Sequence, residues 1–374
     1  MDEGRSLKVN DVQQHLKMFL VVATGYTSPS KTPKVPNWSS MTLKELTESP
    51  IFLLKTVPVC KSAVFDYFRI IVIESAHMYL CQLENPSSAA DPYVLEDAIV
   101  EMSTTLKILV SANPGNWLSL IFQWTLESLA EMSKRFHSRR CLNNKTLSEL
   151  LKIYTANRAT NSILELLNLC AGHLLTNSPE KCVAALLEVA ARYGVFCDWI
   201  LTFISIAYPL KIINQLVICG LNDFISHTND LSKNMPLNQA VQRCEQYNRE
   251  KLSSLASILS HLAVQQTTEL RHCFVALIEQ ALSSDFVKKR QDVFAFLLKL
   301  CVFSRNIVDV LMKDLPKYSS TENLIQIVSA LSVMPPHVLF SDQSLVEIDM
   351  IFAVLQQFMK DDKFVADFSG LLAD

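Results

Sequence analysis

The sequence predicts an all-α protein, an α-solenoid of stacked antiparallel helix pairs with no sheet. Three observations carry that prediction. Apolar residues recur at i, i+3, i+4 and i+7 wherever a stripe is traced. Strict alternation, the mark of a half-buried strand, is hard to find over five or more residues. Several segments open on a capping residue followed by proline, whose fixed φ and missing N–H suit the first position of a helix.

Residues 1–40 read as an N-terminal helix and a mobile linker. The apolar run Met18–Ala23 is too short and too far from the start for a secretory signal, which predicts an intracellular address. Tyr26–Ser40 sets three prolines among small polar residues. In it, Ser28-Pro29 and Thr32-Pro33 lie beside Lys31 and Lys34, so Ser28 and Thr32 are candidate sites for a proline-directed kinase, with the lysines ready to pair with the phosphate.

Residues 41–225 read as a first helical array. Ser49-Pro50, Asp91-Pro92, Asn113-Pro114 and Ser178-Pro179 mark helix starts, and Gln82–Asp91 reads as a loop. The stripes Leu95, Ala98, Ile99, Met102, Leu106, Leu109 and Val183, Leu186, Leu187, Ala190 are core faces. Phe196–Phe224 has the look of a membrane segment, yet its longest uncharged run, Trp199–Leu210, would rise only about 18 Å against a hydrocarbon core of about 30 Å. Pro209 divides the stretch into two helices. Asp198, Thr202 and Ser205 form one narrow polar stripe, Lys211, Gln215 and Asn222 another, and the remainder is apolar, as expected of helices covered on nearly all sides in mid-array. A charge placed at Ile213 or Val217 is therefore expected to collapse the local fold.

Residues 226–238 read as a flexible loop and 239–374 as a second array, with stripes Val293, Phe296, Leu297, Leu300, Cys301 and Leu324, Ile327, Val328, Leu331. About fourteen helices follow for the whole chain, alike in shape without a sequence consensus.

Chemistry is nearly absent. Thirty-four Lys and Arg against thirty-seven Asp and Glu leave a net charge of -3, so no global field draws in nucleic acid or an acidic membrane. With 49% hydrophobic and 19% charged residues, the chain has apolar surface to spare for partners. The seven glycines stand more than twenty residues apart, which excludes phosphate-cradling loops. No two of the ten cysteines lie closer than twelve residues, which excludes CxxC pairs, and most read as small buried hydrophobes. His137 and Cys141 are four apart, but Arg139 and Arg140 between them repel a cation. Ser178-Pro179-Glu180-Lys181 fits SxxK, but Ser178 sits where a helix cap belongs. No catalytic residue, cofactor or metal follows, and the chain reads as a non-enzyme.

The densest basic cluster, Lys134, Arg135, Arg139 and Arg140, brackets Phe136 and His137. It has two readings: a contact for phosphate, an acidic partner or an import receptor, and a helix C-terminus whose cations complement the dipole and run on into solvent.

Ser111-Ala112-Asn113-Pro114-Gly115-Asn116-Trp117, running on to Trp124, the block Lys181–Phe224 and, more faintly, Ser257–Ala263 resemble the N-terminal region of the Integrator complex subunit 5 family. Asp198-Trp199, the Tyr208-Pro209 break and a turn at Cys219-Gly220-Leu221 are the most specific elements, and the similarity covers residues 95 to 265 best. The resemblance implies a non-catalytic helical scaffold in the nucleus. It implies a part in small nuclear RNA 3′-end processing and in termination and attenuation of RNA polymerase II transcription. The implied partners are other Integrator subunits, notably subunit 8 and a PP2A-type phosphatase module, with the polymerase indirect; no membrane and no direct nucleic-acid contact are expected. It also implies an N-terminal portion or reduced form, the family's chains being much longer. The competing reading is a generic HEAT- or armadillo-like adaptor, for instance in transport, binding an extended segment on its concave face.

Overall fold

A computed structural model describes residues 9–24, 38, 41–86, 93–230, 237–283 and 287–312. All regular structure among them is helical, so the all-α class holds. The chain divides into two compact units: residues up to Ala185 with Tyr193–Ile200, and Leu186–Arg192 with the chain from Leu201 onward. The first holds α1 (Val9–Thr24), α2 (Leu43–Thr56), α3 (Lys61–Glu84), α4 (Tyr93–Ala112), α5 (Pro114–Phe136), α6 (Leu147–Ala156) and α7 (Arg158–Asn177). The second holds α10 (Pro209–Asp230), α11 (Leu237–Gln265), α12 (Thr267–Leu282), α13 (Val287–Phe303) and α14 (Arg305–Met312), and α8 (Pro179–Tyr193) and α9 (Asp198–Ala207) contribute residues to both.

In the first unit, helix starts follow side-chain chemistry. Thr42 and Thr146 each close a capping box: the threonine Oγ1 accepts the N–H three residues on, and Glu45 or Glu149 accepts the N–H of the cap itself. Asn113 caps α5 with Pro114 at its first position, as the sequence predicts. Ser49-Pro50 does not start a helix, because α2 is already under way from Leu43 and Pro50 lies inside it. A proline there removes the N–H due to the Leu46 carbonyl. The buried Tyr67 hydroxyl of α3 donates to that oxygen instead, at 3.0 Å, which is how the helix continues through the ring.

The core of this unit is aromatic at one end and aliphatic along α4, α5 and α7. Phe65, Phe68 and Trp124 pack with centroids 5.3 to 6.4 Å apart, and Trp124 Nε1 donates to the Phe65 carbonyl at 2.9 Å. Helix α7 packs on both α4 and α5 through buried Ile163, Leu166, Leu167 and Cys170. Asn157, fully buried, caps α7 by accepting from the Thr160 N–H, and its Nδ2 donates to Glu96 of α4 at 3.0 Å. A single amide thus satisfies a helix end and a buried carboxylate.

In the second unit, α10 begins at Pro209, as the sequence predicts. Its buried face, Ile212, Ile213, Leu216 and Val217, packs toward α11, α12 and α13. Coverage of Phe196–Phe224 is one-sided, however: Ile206, Leu210 and Ile218 are exposed. Of the first polar stripe Thr202 and Ser205 are covered, with Thr202 Oγ1 2.7 Å from His261 Nε2 and Gln266 Nε2 donating to the Ser205 carbonyl at 2.7 Å, whereas Lys211 and Asn222 of the second are exposed. Cys219-Gly220-Leu221 is not a turn but the middle of α10. A Cβ on Gly220 would stand 2.3 Å from Leu255 Cδ2 and 3.2 Å from the Phe296 ring, so glycine is there to let α10 approach α11 and α13. Val293, Phe296, Leu297, Leu300 and Cys301 are buried along α13. Within 226–238, α10 runs to Asp230 and α11 starts at Leu237. The stripe from Leu324 lies outside the described residues.

By length and composition the run Pro179–Ala207 could cross a membrane. It is not one helix: α8 ends at Tyr193, Gly194 turns the chain at φ +55°, and a 3₁₀ turn Gly194–Cys197 leads into α9. At about 22 Å and 15 Å, neither α8 nor α9 matches a core of about 30 Å.

Candidate functional site

The end of α5 and the chain leaving it carry the basic cluster, and the structure splits the four cations. Arg139 is engaged within the fold. Its Nη1 donates to Glu84 Oε2 of α3 at 3.1 Å and to Cys81 Sγ at 3.3 Å, and its guanidinium lies 5.5 Å from the centre of the Phe136 ring. The other Glu84 oxygen accepts the Cys141 N–H at 3.2 Å. The Cys141 backbone N–H, aided by the Arg139 charge, holds the Glu84 carboxyl below its ordinary range. Burial, reinforced by Glu84, pushes the Cys141 thiol up to about 11.

Lys134, Arg135 and Arg140 are exposed. Lys134 Nζ stands 5.9 Å from the centre of the Tyr193 ring, and His137 lies 5.0 Å from Phe196, because the 3₁₀ turn Gly194–Cys197 packs on α5. Next to them Val195 is exposed. The arrangement is three exposed cations, Lys134 and Arg135 each over an aromatic ring, on a stretch of chain pinned through Arg139. His137 Nδ1 lies 2.7 Å from the Lys134 carbonyl and so caps the helix end.

Ser28 and Thr32 lie outside the described residues. Among the described residues no group of three or more His, Cys, Asp or Glu side chains could hold a metal ion, and His137 and Cys141 are engaged separately. Cys170, Cys182, Cys197, Cys273 and Cys301 are buried, while Cys60, Cys81, Cys141 and Cys219 are half-buried. The contacts that organise this region, Glu84 and His77 of α3 against the α5 end, join residues more than fifty positions apart, and no local spacing announces them. The capping boxes escaped the sequence reading although their signal is local: Thr42-Leu43-Lys44-Glu45 and Thr146-Leu147-Ser148-Glu149 share the pattern T-L-x-E.

These features define an all-helical body whose described polar clusters chiefly hold helices together. The Integrator complex subunit 5 N-terminus family matches residues 13–226, more than half of the chain, and the chain belongs to that family. It is 25% identical over 309 residues to Integrator complex subunit 5 of Mus musculus, covering 74% of this chain and 30% of that protein. It is 24% identical over 331 residues to Integrator complex subunit 5 of Drosophila melanogaster, covering 84% of this chain and 30% of the relative. The chain therefore spans about 30% of the length of these relatives.

Proposed function

We propose that the chain is a non-catalytic scaffold within a nuclear Integrator complex, where it supports small nuclear RNA 3′-end processing and attenuation of RNA polymerase II transcription and helps dock the phosphatase module. The observation that carries this reading is the family match over residues 13–226, which takes in the helices of the first unit. In this reading the helices stack as an α-solenoid, in a first array over 41–225 and a second over 239–374. A regularity in the cross-helix hydrogen bonds supports the stacking: Thr47–Glu101, Arg69–Glu127, Ser103–Ser162, Asn157–Glu96 and Thr202–His261 join residues 54 to 61 positions apart. Each ties a helix to one two or three places along, as nearest-neighbour stacking requires.

Lys134, Arg135 and Arg140 are the surface offered to an acidic partner or a phosphate, with Arg139 holding the turn that presents them. Ser28 and Thr32 are the regulatory phosphosites. Affinity purification of the tagged chain from nuclear extract, with the recovered proteins identified by mass spectrometry, tests the reading. Integrator subunits are expected, subunit 8 and the phosphatase among them. Recovery of transport receptors without any Integrator subunit would instead establish the generic adaptor.

A further inference from the structure

We propose that Cys81 is a reactive thiol, at which small anionic disulfides such as glutathione disulfide form a mixed disulfide with this protein. Helix α3 places Glu74, His77 and Cys81 at i, i+3 and i+7, on one face. His77 Nε2 lies 3.5 Å from Cys81 Sγ, and His77 Nδ1 lies 3.5 Å from Glu74 Oε1. Phe136 stacks on the imidazole at 5.9 Å with the rings 10° from parallel, which fixes its plane. A base within reach of a nucleophile, oriented by a third group, is the arrangement that activates a thiol.

Arg139 supplies the second element. Its Nη1 points at Sγ from 3.3 Å, so the thiolate, the form that attacks disulfides, gains a hydrogen bond and an opposite charge. Glu84, the carboxylate that shares Arg139 with the thiol, has its charge engaged by Arg139 and the Cys141 N–H. The site is open to a reagent: Cys81 is half-buried, and the side chains of His77 and Glu74 keep 41% and 37% of their surface. The exposed Arg140 adjoins the Arg139–Glu84 pair and suits an anionic disulfide.

The step balances without an added oxidant. His77 Nε2 takes the thiol proton, and Sγ attacks one sulfur of the disulfide. The Sγ–S bond forms as the reagent's S–S bond breaks, and the departing thiolate recovers the proton from His77.

The test uses the whole chain with glutathione disulfide at neutral pH, acid quenching, and mass spectrometry of the adduct at each cysteine. Cys60, half-buried in the 3₁₀ turn Pro58–Cys60, is the internal control. Cys81 is expected to react about tenfold faster than Cys60 in the folded protein and at a similar rate once both are unfolded in guanidinium. His77→Gln, which removes the half-exposed imidazole from the face of buried Phe136, should slow Cys81 about tenfold while leaving Cys60 unchanged and the protein folded by circular dichroism. Equal rates at Cys81 and Cys60 in the folded protein overturn the proposal, as does an undiminished Cys81 rate in folded His77→Gln.

Discussion

The Tyr67 hydroxyl of α3 donates to the Leu46 carbonyl of α2 at 3.0 Å, and that carbonyl is the one whose helical partner Pro50 cannot supply. The two residues are buried, so water does not substitute. Tyr67→Phe keeps the ring and its contacts but leaves the oxygen unpaired, and is expected to cost about 1–3 kcal/mol in chemical denaturation. In a Pro50→Ala background, where the backbone N–H returns, the same change should cost at least about 1 kcal/mol less. Additive effects would mean the hydroxyl is not replacing the ladder bond.

Gly220 is expected to resist enlargement. Alanine gains about 1 kcal/mol in helix propensity, but its Cβ meets Leu255 Cδ2 at 2.3 Å and the Phe296 ring at 3.2 Å, and both neighbours are buried. Overpacking typically costs about 1–3 kcal/mol, so Gly220→Ala should be net destabilising and Gly220→Val far more so. Urea unfolding followed by circular dichroism measures both, and a stabilised Gly220→Ala would mean that Leu255 has a free rotamer to move into.

These two sites also explain what the sequence could and could not disclose. Helix class, the start of α5 at Asn113-Pro114 and the break at Pro209 are local matters of periodicity and φ, and were legible. Ser49-Pro50 reads identically to a helix start, and what lets the helix run through it is the hydroxyl of Tyr67, 21 positions from the Leu46 carbonyl it serves. Gly220 reads as a turn because the neighbours that demand a missing Cβ come from α11 and α13. Ile206, Leu210 and Ile218 follow the apolar pattern of their buried neighbours, and periodicity does not tell which stripe a neighbouring helix covers. The basic cluster was visible as composition, but its division into one packed and three exposed cations depends on Glu84 and Cys81 of a distant helix.

That division has a measurable consequence. Arg139→Met removes the partner of Glu84 and is expected to cost about 1–2 kcal/mol. The loss is moderated by solvent screening, since the Arg139 and Glu84 side chains keep 20% and 22% of their surface. Reversing Lys134, Arg135 and Arg140 together should change stability by no more than about 0.5 kcal/mol per site, while abolishing whatever acidic contact the cluster makes. Made singly, any of the three reversals that costs as much as Arg139→Met would place that cation in the fold after all.

Asp198 should leave a signature in the pH dependence of stability. It opens α9, where the helix dipole favours the carboxylate, yet burial prevails and pushes its carboxyl up to about 6 from an ordinary value near 3.8. Between those values the folded state holds a proton that the unfolded chain has released, so the contribution of Asp198 to stability is present at low pH and is lost as pH rises toward 6. His261 works in the opposite direction: burial lowers its pKa, so its contribution is full above about 6.5 and falls as pH drops below that. A simple pH titration of the protein therefore mixes both. Subtraction separates them, because Asp198→Asn removes one group and keeps the other. The stability of Asp198→Asn relative to the natural sequence should rise between about pH 4 and pH 6 and level off above. Parallel curves across that window would show that Asp198 titrates as an exposed aspartate, and that the start of α9 is open to water.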